Sequence, residues 1–157
     1  NEIRPVRRQE YKKEGDFKIY ETNDIKVFNE LYFLTFERQN IQLSDFEINL
    51  FNEITKVSLE HGFGRLAICE YEGKPVSASL FLYDKKRSYY LFGANDPEYR
   101  NTGASTKLMI DNIMDTKKRG LNEVDFVGAN SPNRGDYKIG FNAGIKPYYE
   151  SSLNLNK

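Results

Sequence analysis

Arg100, Gly103, Ala104 and Ser105 share a short polar loop that joins an aromatic-rich extended run to a helical one within residues 90–119. A small-residue turn between a strand and a helix leaves backbone N–H groups unpaired at the helix start, where the peptide dipoles sum to a positive end. The chemistry such a place performs is anion capture, a pyrophosphate above all. Thr102 and Ser105 offer a competing use, a hydroxyl that caps the helix and does nothing more, and local chemistry leaves both uses open.

Chemistry on a captured ligand would need more than an anchor. Charge that develops at a reacting group calls for a fixed cation or N–H, and an attacking nucleophile must lose a proton to a carboxylate, a tyrosine or a water relay. Glu70, Asp96, Glu98, Asp125 and Asp136 are the acids near such a cleft. Each alone reads more simply as a turn, cap or salt-bridge residue. Asp125, between Val124 and Phe126, is expected to be the most buried and most perturbed of them. Tyr99 and Tyr137 are candidates to return a proton to a leaving group, although with 11 tyrosines in the chain either can simply pack.

Other reactive types have plainer readings. Cys69 lies between Ile68 and Glu70 with no basic neighbour to hold a thiolate, so a buried inert thiol is expected. His61, followed by Gly62, reads as a cation closing a helix. One His and one Cys do not build a typical zinc site, and no metal is expected. The aromatic run Tyr89-Tyr90-Leu91-Phe92 alternates as a packed strand does, which favours packing over base stacking.

The elements that must position these residues can be read from pattern. At 157 residues with 39% hydrophobic content, the chain is long enough for one domain with a real core. Its 23 basic and 23 acidic residues cancel, which removes the main argument for a nucleic-acid or anionic-membrane partner. A single Cys and no apolar run near the roughly 18 residues that span a bilayer give a cytoplasmic setting as the expectation. The opening IRPVRRQEYKKEG is expected to be a linker or the end of an upstream helix over residues 1–15, which makes the chain the C-terminal part of a longer protein. Its Arg7, Arg8, Lys12 and Lys13 read as a solvated face.

Residues 17–21 alternate as a strand. A helix capped by Thr22 or Asn23 follows, with Ile25, Phe28, Leu31, Tyr32 and Thr35 on one face. Ser44 and Glu47 form a capping-box pair before a second helix, whose apolar stripe is Phe46, Leu50, Ile54 and Val57. Three extended runs at 65–71, 76–83 and 88–94, separated by turn sequences, make an antiparallel meander. A helix ending at Gly120, a strand at 122–127, a loop at 128–133, a short helix near 134–141 and a last strand at 145–149 complete an α+β mixed sheet with helices on both faces.

This order of elements resembles the GNAT acyltransferase fold, and the wording resembles its Fem-like branch of aminoacyl transferases and related acetyltransferase-like proteins. The residues that carry the likeness are EGKPVSASLFLYDKKRSYYLFGANDPEYRNTGASTKLMIDNIMDTKKRGLNEVDFVGANS and DYKIGF. Arg100-Asn101-Thr102-Gly103-Ala104-Ser105 resembles the family's pyrophosphate loop, with Ser105 where Gly or Ala is usual. Gly93, Ala94 and Asn95 would then offer backbone groups to the donor. Tyr137-Lys138-Ile139-Gly140-Phe141 resembles the Fem-like Phe/Tyr-Lys-x-x-Phe-Gly segment, with Asn142 in place of the last glycine. The resemblance implies that Lys138 stabilises charge at the transferring group.

It further implies acetyl-CoA or another acyl-CoA as donor and a small-molecule or cell-wall-precursor amine as acceptor. Aminoacyl-tRNA is a further donor the likeness admits, and an upstream half or a second copy a further partner. From another functional class, the chain also reads as a catalytically silent GNAT-like half that packs against or recognises a partner domain.

Overall fold

The computed structural model describes residues 2–37, 41–129, 132–149 and 151–152. Its elements run in order as α1 (Pro5–Tyr11), β1 (Phe17–Glu21), α2 (Ile25–Glu37), α3 (Asp45–Glu60), β2 (Gly64–Tyr71), β3 (Lys74–Tyr83) and β4 (Arg87–Asn95). A 3-10 turn (Pro97–Tyr99), α4 (Ala104–Lys118), β5 (Glu123–Asp125) and α5 (Pro132–Ile139) follow. The sheet order is β1-β2-β3-β4-β5, antiparallel except where β5 joins β4 in parallel.

Why the meander forms is visible at its turns. Glu72 and Gly73 both take positive φ, 52° and 78°, the two-residue geometry whose twist matches that of the strands it joins. Asp84 holds the next turn by accepting from the N–H groups of Lys86 and Arg87 at 2.6 and 2.7 Å. β2 and β3 are the middle of the sheet and are buried on both sides, with Leu66, Ala67, Ile68, Cys69 and Leu80 fully covered. Successive side chains point to opposite faces. Leu66, Ile68, Ala78 and Leu80 meet Phe28, Leu31 and Phe51 of α2 and α3, while Ala67, Cys69 and Val76 meet Ala104 and Leu108 of α4.

The capping box is present: Ser44 accepts from the Glu47 N–H and the Glu47 carboxylate accepts from the Ser44 N–H. Asp24, rather than Thr22 or Asn23, supplies the oxygen at the head of α2, accepting from the Lys26 N–H at 2.9 Å. The stripe of α3 needs correction. Phe46, Leu50 and Val57 are 72%, 48% and 39% exposed, and the buried face is Phe51, Thr55 and Ser58, turned about 100° from the stripe by the one-residue offset. Thr55 and Ser58 satisfy their hydroxyls on α3's own carbonyls. Their small size lets the helix approach so closely that a Cβ on Gly64 would overlap Ser58.

A second correction concerns the end of the chain. β5 is only three residues long, and residues 145–149 form no strand: Ile145, Tyr148 and Tyr149 are exposed, Tyr149 by 92%. Pro147 removes a ladder donor there. Of the expected loop at 128–133, Asn130 and Ser131 lie outside the described residues. Cys69 is buried, and burial pushes its thiol up to about 11, an unreactive thiol as expected.

Candidate functional site

β4 gives the site its shape. Its pairing with β3 steps from Leu80–Phe92 to Phe81–Tyr90, so Leu91 is an extra residue in a bulge. Without the bulge Tyr90 and Phe92 would share a face. With it, Phe92 joins the α2 and α3 core and Tyr90 joins Phe81 and Met109 on the α4 side. On its other edge β4 meets β5 at three rungs only, Arg87–Glu123, Ser88–Val124 and Tyr89–Asp125. Beyond Tyr89 the strands part, and residues 90–95 have no strand partner on that edge among the described residues.

The fork opens towards the start of α4. Gly103 is the helix N-cap in a left-handed conformation, φ 91°, which a residue with a Cβ adopts at a cost. Thr102 Oγ1 accepts from the Ala104 N–H at 3.3 Å and donates to the Tyr99 carbonyl at 2.7 Å. The capping use therefore belongs to Thr102 and not to Ser105.

Several of the sequence-derived candidates converge here. Asn95, Ser105 and Tyr137 join Ser77, Ser79 and Tyr90 around a cavity of about 10 Å³, room for about one water. Asn95 accepts from the Ser77 hydroxyl at 2.7 Å, and the Tyr137 hydroxyl donates to the Ser105 carbonyl at 3.0 Å. Burial, and next the neighbouring Tyr90, push the Tyr137 phenol well above the usual tyrosine value, so it remains a proton donor at neutral pH. Gly93 lies under Tyr90, whose hydroxyl a Cβ would overlap. Lys138 donates to the Gly128 carbonyl at 2.7 Å and lies 5.7 Å over the Tyr90 ring.

Other candidates stand further out. Ala94 packs in the opposite core and can offer only its backbone. Arg100 and Asn101 are exposed on the loop. Asp125 is not the most buried acid: its side chain is 41% exposed on the edge strand and lies 3.7 Å from Arg87. That place falls to Asp96, 5% exposed, which burial pushes up. Lys74 at 2.9 Å and the Glu98 N–H outweigh that and hold it below the usual carboxylate range, the arrangement of a turn-holding residue. Among the described residues no group of acids, Cys and His has the makings of a metal site, and no helix is long and apolar enough to cross a membrane.

Residues matched to the Acetyltransferase (GNAT) domain run from 2 to 138, most of the chain. The chain belongs to the GNAT acetyltransferase family. Solved structures agree in fold with this GNAT domain. An aminoglycoside acetyltransferase from an uncultured soil metagenomic sample, in complex with trehalose, has a TM-score of 0.65 at 18% identity, over 89% of this chain and 97% of that one. Glucosamine-6-phosphate N-acetyltransferase from Arabidopsis thaliana gives 0.60 at 17% identity, over 88% and 98%. FemX gives 0.68 at 15% identity, over 87% of this chain but 52% of its own. No curated protein sequence matches. Members of the family use acyl-CoA donors, which makes the fork between β4 and β5 and the start of α4 the places to test for fit.

The start of α4 is covered by α1, whose cations the sequence pattern reads as a solvated face. The last turn of α1 lies on the start of α4. The Thr106 hydroxyl donates to the Glu10 carboxylate at 2.5 Å, Arg7 holds the same carboxylate at 2.5 Å, and a Cβ on Gly103 would overlap the Glu10 carbonyl. Arg7 is no solvated cation: its side chain is 13% exposed and lies 4.7 Å over the Tyr137 ring. The charged composition of α1 gave no sign of this. The available signal was Gly103 itself, a glycine at a helix start that close backbone approach requires.

Proposed function

We propose that this GNAT domain transfers an acyl group from a coenzyme A thioester to an amine, along the open edge of β4. The observation that carries the reading is the parting of β4 and β5 after Tyr89, beside the N-terminus of α4. Residues 93–95 would present backbone groups to the donor. Residues 103–105 and Arg100, with Asn101 and Thr102 shaping the loop, would hold its phosphates at the positive end of α4. The amine nitrogen would attack the thioester carbonyl and the C–S bond would break. The amine proton would pass to Asp125 at the last rung of the fork, the Tyr137 hydroxyl would protonate the leaving thiolate, and Lys138 would steady the oxyanion. A water-sized cavity requires Tyr90 and Tyr137 to shift before a donor enters.

The acceptor class is a small polar amine. One structural neighbour was crystallised with sisomicin, which supports that class without naming a substrate. A Fem-like variant with an aminoacyl donor and a cell-wall-precursor acceptor rests on the resemblance of residues 137–141 to the Fem-like segment; FemX, of which this chain spans about half, shares the fold. The contact of α1 with α4 favours a second reading, a catalytically silent half.

Calorimetric titration with acetyl-CoA, with Arg100→Ala alongside, separates these. Saturable micromolar binding that the substitution weakens supports the coenzyme A reading. A folded chain that binds nothing overturns it.

A further inference from the structure

We propose that α1 is a latch that competes with the acyl donor for the start of α4, with Glu10 in the place of the donor's phosphate. The inference rests on the donor reading above and adds a control to the same site.

Three kinds of contact meet there. The Glu10 carboxylate accepts from Thr106, in the first turn of α4, and from Arg7. The carbonyl end of α1, the negative end of its dipole, faces the positive end of α4: the Glu10 carbonyl lies against Gly103 and the Tyr11 carbonyl accepts from Lys107 at 2.5 Å. Lys13 donates to the Asn101 carbonyl in the phosphate loop itself. An anion, a helix dipole and a loop contact are what a bound pyrophosphate would otherwise provide or displace.

The latch is built to open. α1 has seven residues and none is buried, so little apolar surface is lost when it leaves. It also holds one donor unsatisfied: Arg7 Nε is buried with no hydrogen-bond partner among the described residues, and release restores its hydration. A second hold, the Arg4 N–H on the Gly140 carbonyl at 2.9 Å and Arg4 on Asp136, ties α1 to α5. Opening α1 therefore removes these holds from the segment that carries Tyr137 and Lys138, whose own bonds to the Ser105 and Gly128 carbonyls remain.

The test uses the whole chain, coenzyme A as probe, and hydrogen exchange with calorimetry. Adding coenzyme A should protect residues 103–107 and raise exchange in residues 5–13. Glu10→Gln should bind about tenfold more tightly than the parent chain. Equal affinities, with α1 still protected in the complex, overturn the latch and leave the donor reading standing. No binding by either folded chain, even with α1 exchanging freely in Glu10→Gln, overturns the donor reading and the competition with it.

Discussion

The Arg65 guanidinium donates to the Asn112 side-chain oxygen at 2.6 Å, and both residues are buried. Asn112 passes the connection on, donating to Ser79 on β3 and to the Leu108 carbonyl on α4. Arg65 also meets Asp111 at 2.7 Å. One polar network thus fixes α4 against β2 and β3, and with it the register of the Gly103 end over the fork. Arg65→Met leaves Asn112 and Asp111 without their cation. It should cost about 2–3 kcal/mol, the low side for a broken buried pair because Asp111 is partly wet. Urea unfolding followed by circular dichroism measures it, and a midpoint equal to the parent's would show that the network does not hold α4.

The face of α3 that is buried can be checked directly. Phe51 is 4% exposed and stacks on Tyr32 at 4.1 Å between ring centres, so Phe51→Ala should cost about 3–4 kcal/mol. Phe46→Ser, on the exposed stripe, should change stability by less than about 0.5 kcal/mol. The reverse order in a thermal melt would restore the stripe as the core face.

That pair of residues also shows what the sequence can and cannot carry. Hydrophobic period placed α2, α3, the meander and α4 correctly, because local pattern and tertiary burial agree there. It chose the wrong face of α3, because Thr55 and Ser58 are polar by type and buried by fit, satisfied on their own helix. At the site, the loop from Arg100 to Ser105 was legible through its small residues. The Leu91 bulge, the parting of β4 from β5 and the docking of α1 depend on partners distant in the chain, such as Thr106, 96 residues from Glu10, and Asp136, 132 residues from Arg4, and no local signal encodes them. Asp125 misled for a related reason: apolar neighbours mark a strand, not whether it lies in the middle or at the edge of a sheet.

Two phenols, Tyr83 and Tyr137, should contribute to an alkaline limit on stability. Burial, then hydrogen bonding to Asp115, raises Tyr83, and burial, then Tyr90, raises Tyr137. A phenol raised on folding leaves its stabilising contribution intact below the ordinary value of about 10 and forfeits it as pH climbs above that towards the folded value. Unfolding midpoints should therefore hold steady up to about pH 9 on account of these groups and fall beyond about pH 10. Tyr83→Phe and Tyr137→Phe should each flatten the fall, and an unchanged alkaline slope in both would discard these phenols as its source.

Tyr137→Phe also probes the proposed chemistry, because it removes the hydroxyl and keeps the ring that packs on Phe141 at 5.1 Å. Turnover with the best acceptor amine should fall about 100-fold, the low end for loss of a positioned acid, with KM for the donor little changed. A fall confined to KM would make Tyr137 a packing residue.

Tyr90 lies over Gly93 on the stretch of β4 that β5 leaves unpaired. A methyl group at residue 93 must displace the Tyr90 hydroxyl, so Gly93→Ala should cost about 1–3 kcal/mol as overpacking. Adding Tyr90→Ala removes the clash, and the pair should be non-additive by about 1 kcal/mol or more, as for residues in contact. If Tyr90 is the gate of the donor cleft, Tyr90→Ala alone should tighten coenzyme A binding while lowering stability. Weaker binding would instead make the ring part of the donor's seat, with Gly93 kept small for Tyr90 and not for the ligand.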